Sequence, residues 1–78
     1  MNIGQAVAKR IKDLLAKHNK TQYGLAKDTL ISHNTITSIV NAKNKTANLQ
    51  SIFLISRAFG ITVGEFFADP IFNGLDID

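Results

Sequence analysis

Apolar residues recur at helical spacing along most of the chain, in short runs separated by polar connections. Val7, Ile11, Leu14, Leu15 and His18 fall at i, i+4, i+7, i+8 and i+11, one stripe of a helix predicted over about residues 3–18. His18 ends that stripe and is expected to be half-buried. Asn2 followed by Gln5 predicts a capping box at its start, and Asn19-Lys20 ends it. Thr21 is placed to cap a second helix with Leu25 and Ala26 inward. Gly24 weakens that helix by about 1 kcal/mol relative to alanine, which suggests close approach of another backbone. Ser32 opens a third helix that runs to Asn41 or Ala42. Its apolar side is Ile36, Ile39 and Val40; its other side is His33, Asn34, Thr37, Ser38 and Asn41. The polar stretch 43–47 reads as a loop. Asn48 caps a fourth helix with an inward set of Leu49, Ile52, Phe53, Ile55 and Phe59. Gly60 stands where a left-handed cap is wanted. Thr62-Val63-Gly64-Glu65 is a second capping box, opening a short fifth helix with Phe66 and Phe67. Pro70 is expected to stop regular structure. The pattern predicts an all-α domain of five short helices over 1–69, with an apolar and acidic tail at 70–78.

The 78 residues make one domain, and a core that small is marginal, so every helix must contribute a packed face. With no cysteine there is neither a disulfide nor a thiolate for metal binding or catalysis. No apolar run approaches the length of a membrane span, and MNIGQAVAKR has no signal-peptide core, so a soluble cytoplasmic chain is expected. The net charge of +3 is uneven. All nine Lys and Arg lie between Lys9 and Arg57, opposed by Asp13 and Asp28, a local charge of +7. Residues 58–78 carry Glu65, Asp69, Asp76 and Asp78 and no base, a charge of −4. The basic body suits a polyanion; the acidic end does not. The two histidines lack partners at ligand spacing, and no nucleophile set or carboxylate pair stands out. No metal, cofactor or enzymatic activity is expected.

The stretch Thr21–Lys43 holds what a helix-turn-helix requires. Ala26 is small where a second helix must cross, Ile31 plugs the turn, and Ser32 caps the second helix. Ile36, Ile39 and Val40 then form its packed back. Together these residues resemble the Cro/cI-type, lambda repressor-like helix-turn-helix family. The match runs through Thr21-Gln22, Leu25-Ala26, Ile31-Ser32, Thr35-Ile36 and Ile39. It continues through Leu49, Ile52, Ile55, Ala58, Gly60-Ile61-Thr62 and Glu65-Phe66-Phe67. The resemblance implies a compact five-helix DNA-binding domain with the helix-turn-helix at about 21–42. Leu30 and Ala42 stand where the family often has glycine. Leucine is disfavoured at positive φ, which predicts an altered turn or a longer second helix.

Carried onto this chain, the resemblance implies that His33, Asn34, Thr37 and Ser38 read bases. Gln22, Ser32, Thr35, Asn41 and Lys43 would meet phosphates, joined by Lys20, Lys27, Lys45 and Arg10. The chemistry agrees: asparagine pairs bidentately with adenine, and a threonine methyl can meet that of thymine. No Lys or Arg lies between Lys27 and Lys43, so the strong arginine–guanine contact is missing and A·T preference is expected. Four to six phosphate contacts imply a log–log salt slope of roughly −4 to −5 per monomer. The lysines of the first helix read as a solvated face. The apolar residues of the tail either fold back onto the domain or form a homodimer contact, for which Phe67, Ile71 and Phe72 are the candidates, two copies binding a palindromic operator one DNA turn apart. The expected function is a transcriptional regulator, a repressor of bacterial or phage type. The alternative is a protein-interaction module, an antitoxin or adaptor, that docks a partner through Pro70–Asp78.

Overall fold

A side-chain oxygen waits at the start of every helix. In the computed structural model, which describes residues 1–42 and 47–77, α1 (Ile3–Lys17) opens on the capping box. Asn2 accepts from the Gln5 amide at 2.9 Å, and Gln5 accepts from the Asn2 amide at 2.9 Å. Thr21 caps α2 (Gln22–Thr29), Ser32 caps α3 (His33–Val40) and Asn48 caps α4 (Leu49–Ala58), each accepting from the amide three residues on. Thr62 and Glu65 form the second capping box, at the start of α5 (Val63–Phe67). There the Thr62 amide and then its hydroxyl hold the Glu65 carboxyl below its usual range. No strand occurs among the described residues. Pro70 does not stop regular structure: it starts a 3-10 turn, Pro70–Phe72, capped by Asp69. Proline suits that place because its missing amide is one the turn would leave unpaired.

The helix ends are as local as the starts. Beyond α4, Gly60 sits at φ 73, with the Gly60 amide on Arg57 O and the Ile61 amide on Ser56 O, both at 3.0 Å. That is the paired bond pattern of a left-handed cap. Asn19, at φ 52, does the same for α1.

Each helix gives at least one side chain to the centre. Ile11, Leu25, Ile36, Ile55 and Phe66, from α1 to α5 in order, are all essentially inaccessible to solvent. α1 packs on α3, α2 on α3 and α4, and α4 on α5. The two most enclosed hydroxyls, Thr29 and Ser56, each donate to the carbonyl four residues back at 2.8 Å, so neither is left unpaired.

Three expectations are corrected, and one that the sequence leaves open is decided. In α4, Ile52, Ile55 and Phe59 are buried, but Leu49 and Phe53 are 81% and 51% exposed. The buried arc of this helix runs through Ser51, Ile52, Ile55, Ser56 and Phe59, so two serines hold places assigned to the larger residues. Gly24 meets no foreign backbone. A Cβ there would lie 3.3 Å from Thr21 Oγ1 and 3.6 Å from Lys20 Cγ, so what crowds it is its own helix start. His18 is exposed rather than half-buried, its ring 5.1 Å from that of Phe59 at the rim of the core. The residues after Pro70 fold back. The 3-10 turn packs on α1, and the Phe72 ring lies 4.9 Å from Phe67 and 6.0 Å from Phe66. Further on, the Asp76 amide donates to Met1 O at 3.0 Å and the Met1 ammonium reaches the Asp76 carboxylate at 2.8 Å. The ammonium, by hydrogen bond and then by charge, holds that carboxyl below its usual range.

Candidate nucleic-acid interface

The α2–α3 pair is set by its turn. Leu30 adopts φ 60, ψ 17, the left-handed geometry that glycine would supply. The turn is therefore not altered and α2 is not longer: it ends at Thr29. Two things accommodate the leucine. Its side chain is 93% exposed, so nothing presses on it. The Thr29 hydroxyl accepts from the Ile31 amide at 3.3 Å, which fixes the chain just beyond. Ala42 likewise sits at φ 53, after α3. Ala26 is buried under the crossing, and Ile31 packs partly buried against the core.

α3 is divided as its sequence pattern requires. Ile36, Ile39 and Val40 are buried. On the opposite side His33, Asn34, Thr35 and Asn41 are exposed, and Thr37 and Ser38 are half-buried. The α3 front thus consists of one imidazole, one amide and several hydroxyls, without a formal charge when His33 is neutral. The Ser32 hydroxyl accepts from the Thr35 amide at 3.2 Å and donates to the Thr35 hydroxyl at 2.8 Å. Its proton is thereby committed.

Two contacts tie the start of α2 to α3. The Thr37 hydroxyl lies 3.5 Å from Gln22 Oε1, a long hydrogen bond. The rings of Tyr23 and His33 meet edge-on, centroids 5.9 Å apart and planes at 65°. Tyr23 is 70% exposed. It escaped the sequence reading, which follows apolar stripes inward. The available signal was a large aromatic one position after Gln22 and off the buried Leu25–Ala26 side.

The basic residues sort differently from the sequence expectation. Arg10 is directed at the other end of the domain. Its guanidinium donates to Phe66 O at 2.8 Å and Glu65 O at 3.0 Å, and lies 3.4 Å from Asp69. It also stands 5.8 Å over the Phe66 ring. It closes the exposed carbonyls at the end of α5, a structural job that uses most of its donors. Lys20 pairs with Asp28 at 2.7 Å and stands 5.5 Å over the Phe59 ring. Lys27 is exposed and has no ion pair among the described residues. Lys43 and Lys45 lie outside the described residues. Lys12, read as a solvated lysine, lines a cleft of about 310 Å³ with Val40, Asn41 and Ala42 at the end of α3. Lys9 shares that cleft but is paired with Asp13 at 2.6 Å. Helix periodicity alone does not reveal that neighbourhood, because it arises from the packing of α1 on α3.

Phe67, Ile71 and Phe72 are all partly buried, and the rings of Phe67 and Phe72 meet edge-on within this chain. The large apolar side chains left outside include Leu30, Leu49 and Phe53. Among the described residues no helix is long and apolar enough to cross a membrane, and no group of His, Asp and Glu could hold a metal ion.

No curated protein and no solved structure matches the chain. A family model does match, over residues 10–70, which takes in the second half of α1 and all of α2, the turn, α3, α4 and α5. With that span matched and the helix pair in place, the chain belongs to the Cro/C1-type helix-turn-helix DNA-binding domain family.

Proposed function

We propose that this chain is a sequence-specific regulator of transcription, of repressor type, that lays α3 in the major groove of double-stranded DNA. The observation that carries the reading is the division of α3: a back of Ile36, Ile39 and Val40 sunk in the core, and a front with hydrogen-bonding groups turned to solvent. His33, Asn34, Thr37 and Ser38 read base edges. Asn34 makes the strongest single contact, a bidentate pair with adenine, worth about 1–3 kcal/mol of discrimination. Gln22, Ser32 and Thr35 meet phosphates beside the helix starts, where exposed N–H groups also favour anions. Lys27, Lys43 and Lys45 supply charge, with Asn41 and Lys12 at the far end of α3. Arg10 and Lys20 support the domain and contribute less. About four lysines at phosphates give a salt slope of roughly −4 per monomer. Repression fits because occupying an operator requires no further surface.

Two copies on a palindromic site complete the proposal. An eight-residue helix spans few base pairs, and a second copy one turn away, about 34 Å, doubles the sequence read. Selection of bound duplexes from a random pool tests all of this. A recurring inverted repeat rich in A·T steps is expected. Absence of any enriched motif at low salt contradicts the reading.

A second reading, a protein-interaction module on the same fold, has one observation in its favour. Leu30, Leu49 and Phe53 are large apolar groups exposed on one domain. Pro70–Asp78, the segment first suited to docking, is instead folded against α1 as far as it is described. The second reading gains if purified protein binds no duplex yet a serine at Leu49 or Phe53 abolishes capture of a partner.

A further inference from the structure

We infer that Tyr23 is a positioning residue for base selection: its ring holds the His33 imidazole in the orientation that meets DNA. This rests on the proposed reading of α3 as the recognition helix. Tyr23 has no other evident task. It is 70% exposed, so it adds little to the core, and its hydroxyl has no hydrogen-bond partner among the described residues. What it does have is the edge-on contact with His33, centroids 5.9 Å apart. His33 is the first residue of α3 and exposed, and its imidazole is held by no hydrogen bond among the described residues.

An exposed histidine at a helix start samples several rotamers. An aromatic wall on one flank removes those that swing into it. The edge-on arrangement is the one favoured by the ring quadrupoles. The wall comes from α2 and the imidazole from α3, so the pair also ties the reader to the helix bearing Gln22. Side-chain ordering then precedes DNA binding instead of accompanying it, and the immobilisation cost of His33 in the complex falls. The consequence is selective: one base pair should be discriminated better, and the remainder of the operator should be unaffected.

The test uses the full chain and the duplex that it selects. His33→Ala first identifies the base pair whose preference depends on the imidazole. Tyr23→Ala should weaken preference at that same base pair by about two- to tenfold and leave the others and the melting temperature in place. Tyr23→Phe should keep the preference, because the ring and not the hydroxyl is responsible. In the His33→Ala background, Tyr23→Ala should cause no further loss. A DNA-independent readout guards against a folding defect. The His33 ring protons of the free protein should be displaced by the tyrosine ring current in the natural chain and in Tyr23→Phe, and lose that displacement in Tyr23→Leu. The inference is overturned alone if His33→Ala changes selection but Tyr23→Ala does not. It is equally overturned if Tyr23→Ala weakens all sequences to the same extent. If the natural chain selects no duplex, both this inference and the reading beneath it fall.

Discussion

The front of α3 and the outer face of α4 are both exposed sides of short helices whose backs are buried, and they carry opposite chemistry. α3 shows an imidazole, an amide and hydroxyls; α4 shows Leu49, Gln50, Phe53 and Arg57. Hydrogen-bonding groups are directional, so a fixed set on a rigid helix can tell one base edge from another. Apolar groups are not directional and reward any dry contact. The same five-helix scaffold therefore presents one surface of directional groups and another of non-directional ones. The difference is sharpened by what stands beside each. α3 has the starts of α2 and of itself converging on it, through Gln22–Thr37 and Tyr23–His33.

The largest effect should come from removing what makes α3 a rigid platform. Ile36→Ala, at a fully buried site, is expected to cost about 2–5 kcal/mol of stability. Thermal melting should fall by many degrees, and DNA binding should fail with it. If the variant melts as the natural chain does, the back of α3 is not packed as described. Next in size is a contrast between the two faces. Asn34→Ala should lower affinity for the selected duplex by about 1–3 kcal/mol with the melting temperature unmoved. Leu49→Gln should change affinity and stability each by less than about 0.5 kcal/mol. Equal losses of DNA affinity in an anisotropy titration would erase the distinction between the faces.

A smaller effect, of opposite sign, is expected at the turn. Leu30 holds a left-handed conformation that costs a side-chain-bearing residue about 1–2 kcal/mol, and glycine returns about 0.5–1 of that in unfolded-chain entropy. Leu30→Gly should therefore stabilise the domain by about 0.5–1 kcal/mol in a denaturant titration, and a clear loss of stability would mean that the leucine makes a contact of its own. The smallest effect concerns acid. The folded Asp76 and Glu65 carboxyls lie below their usual range. Each contributes stability above its unfolded pKa, and that contribution disappears as pH falls through the lowered folded one. Acidification across that window should loosen the Met1–Asp76 contact and the start of α5, seen as faster amide exchange there, while α3 stays protected. Uniform loosening would show that the two ends are not separable.

Features decided within a few residues were legible in the sequence. The Asn2–Gln5 and Thr62–Glu65 boxes, the caps at Thr21, Ser32 and Asn48, and the Gly60 end each depend on groups only a few positions apart. The two faces of α3 followed from its period. What stayed hidden was decided across long separations. Arg10 has a charged side chain on an amphipathic helix, and nothing local says that its partners lie 55–59 positions away on α5 and Asp69. Lys20 was drawn over the Phe59 ring in the same way. Lys12 gained its place beside Asn41 only through the packing of α1 on α3. Leu49 and Phe53 misled because apolar character was taken as burial, while two small serines fitted the tight α4 contact better. Leu30 misled in the opposite direction: a backbone preference was overruled by a side chain free in solvent and a neighbouring threonine that clasps the turn.

Everything proposed for this chain depends on the front of α3, and not the face of α4, meeting DNA. The decisive measurement is a titration of a selected duplex into the full chain, followed by amide and side-chain NMR shifts. The largest changes are expected at Gln22, His33, Asn34, Thr37 and Ser38, with Leu49 and Phe53 nearly still. Changes centred on Leu49–Arg57, or none at any residue of α3, would contradict that assignment.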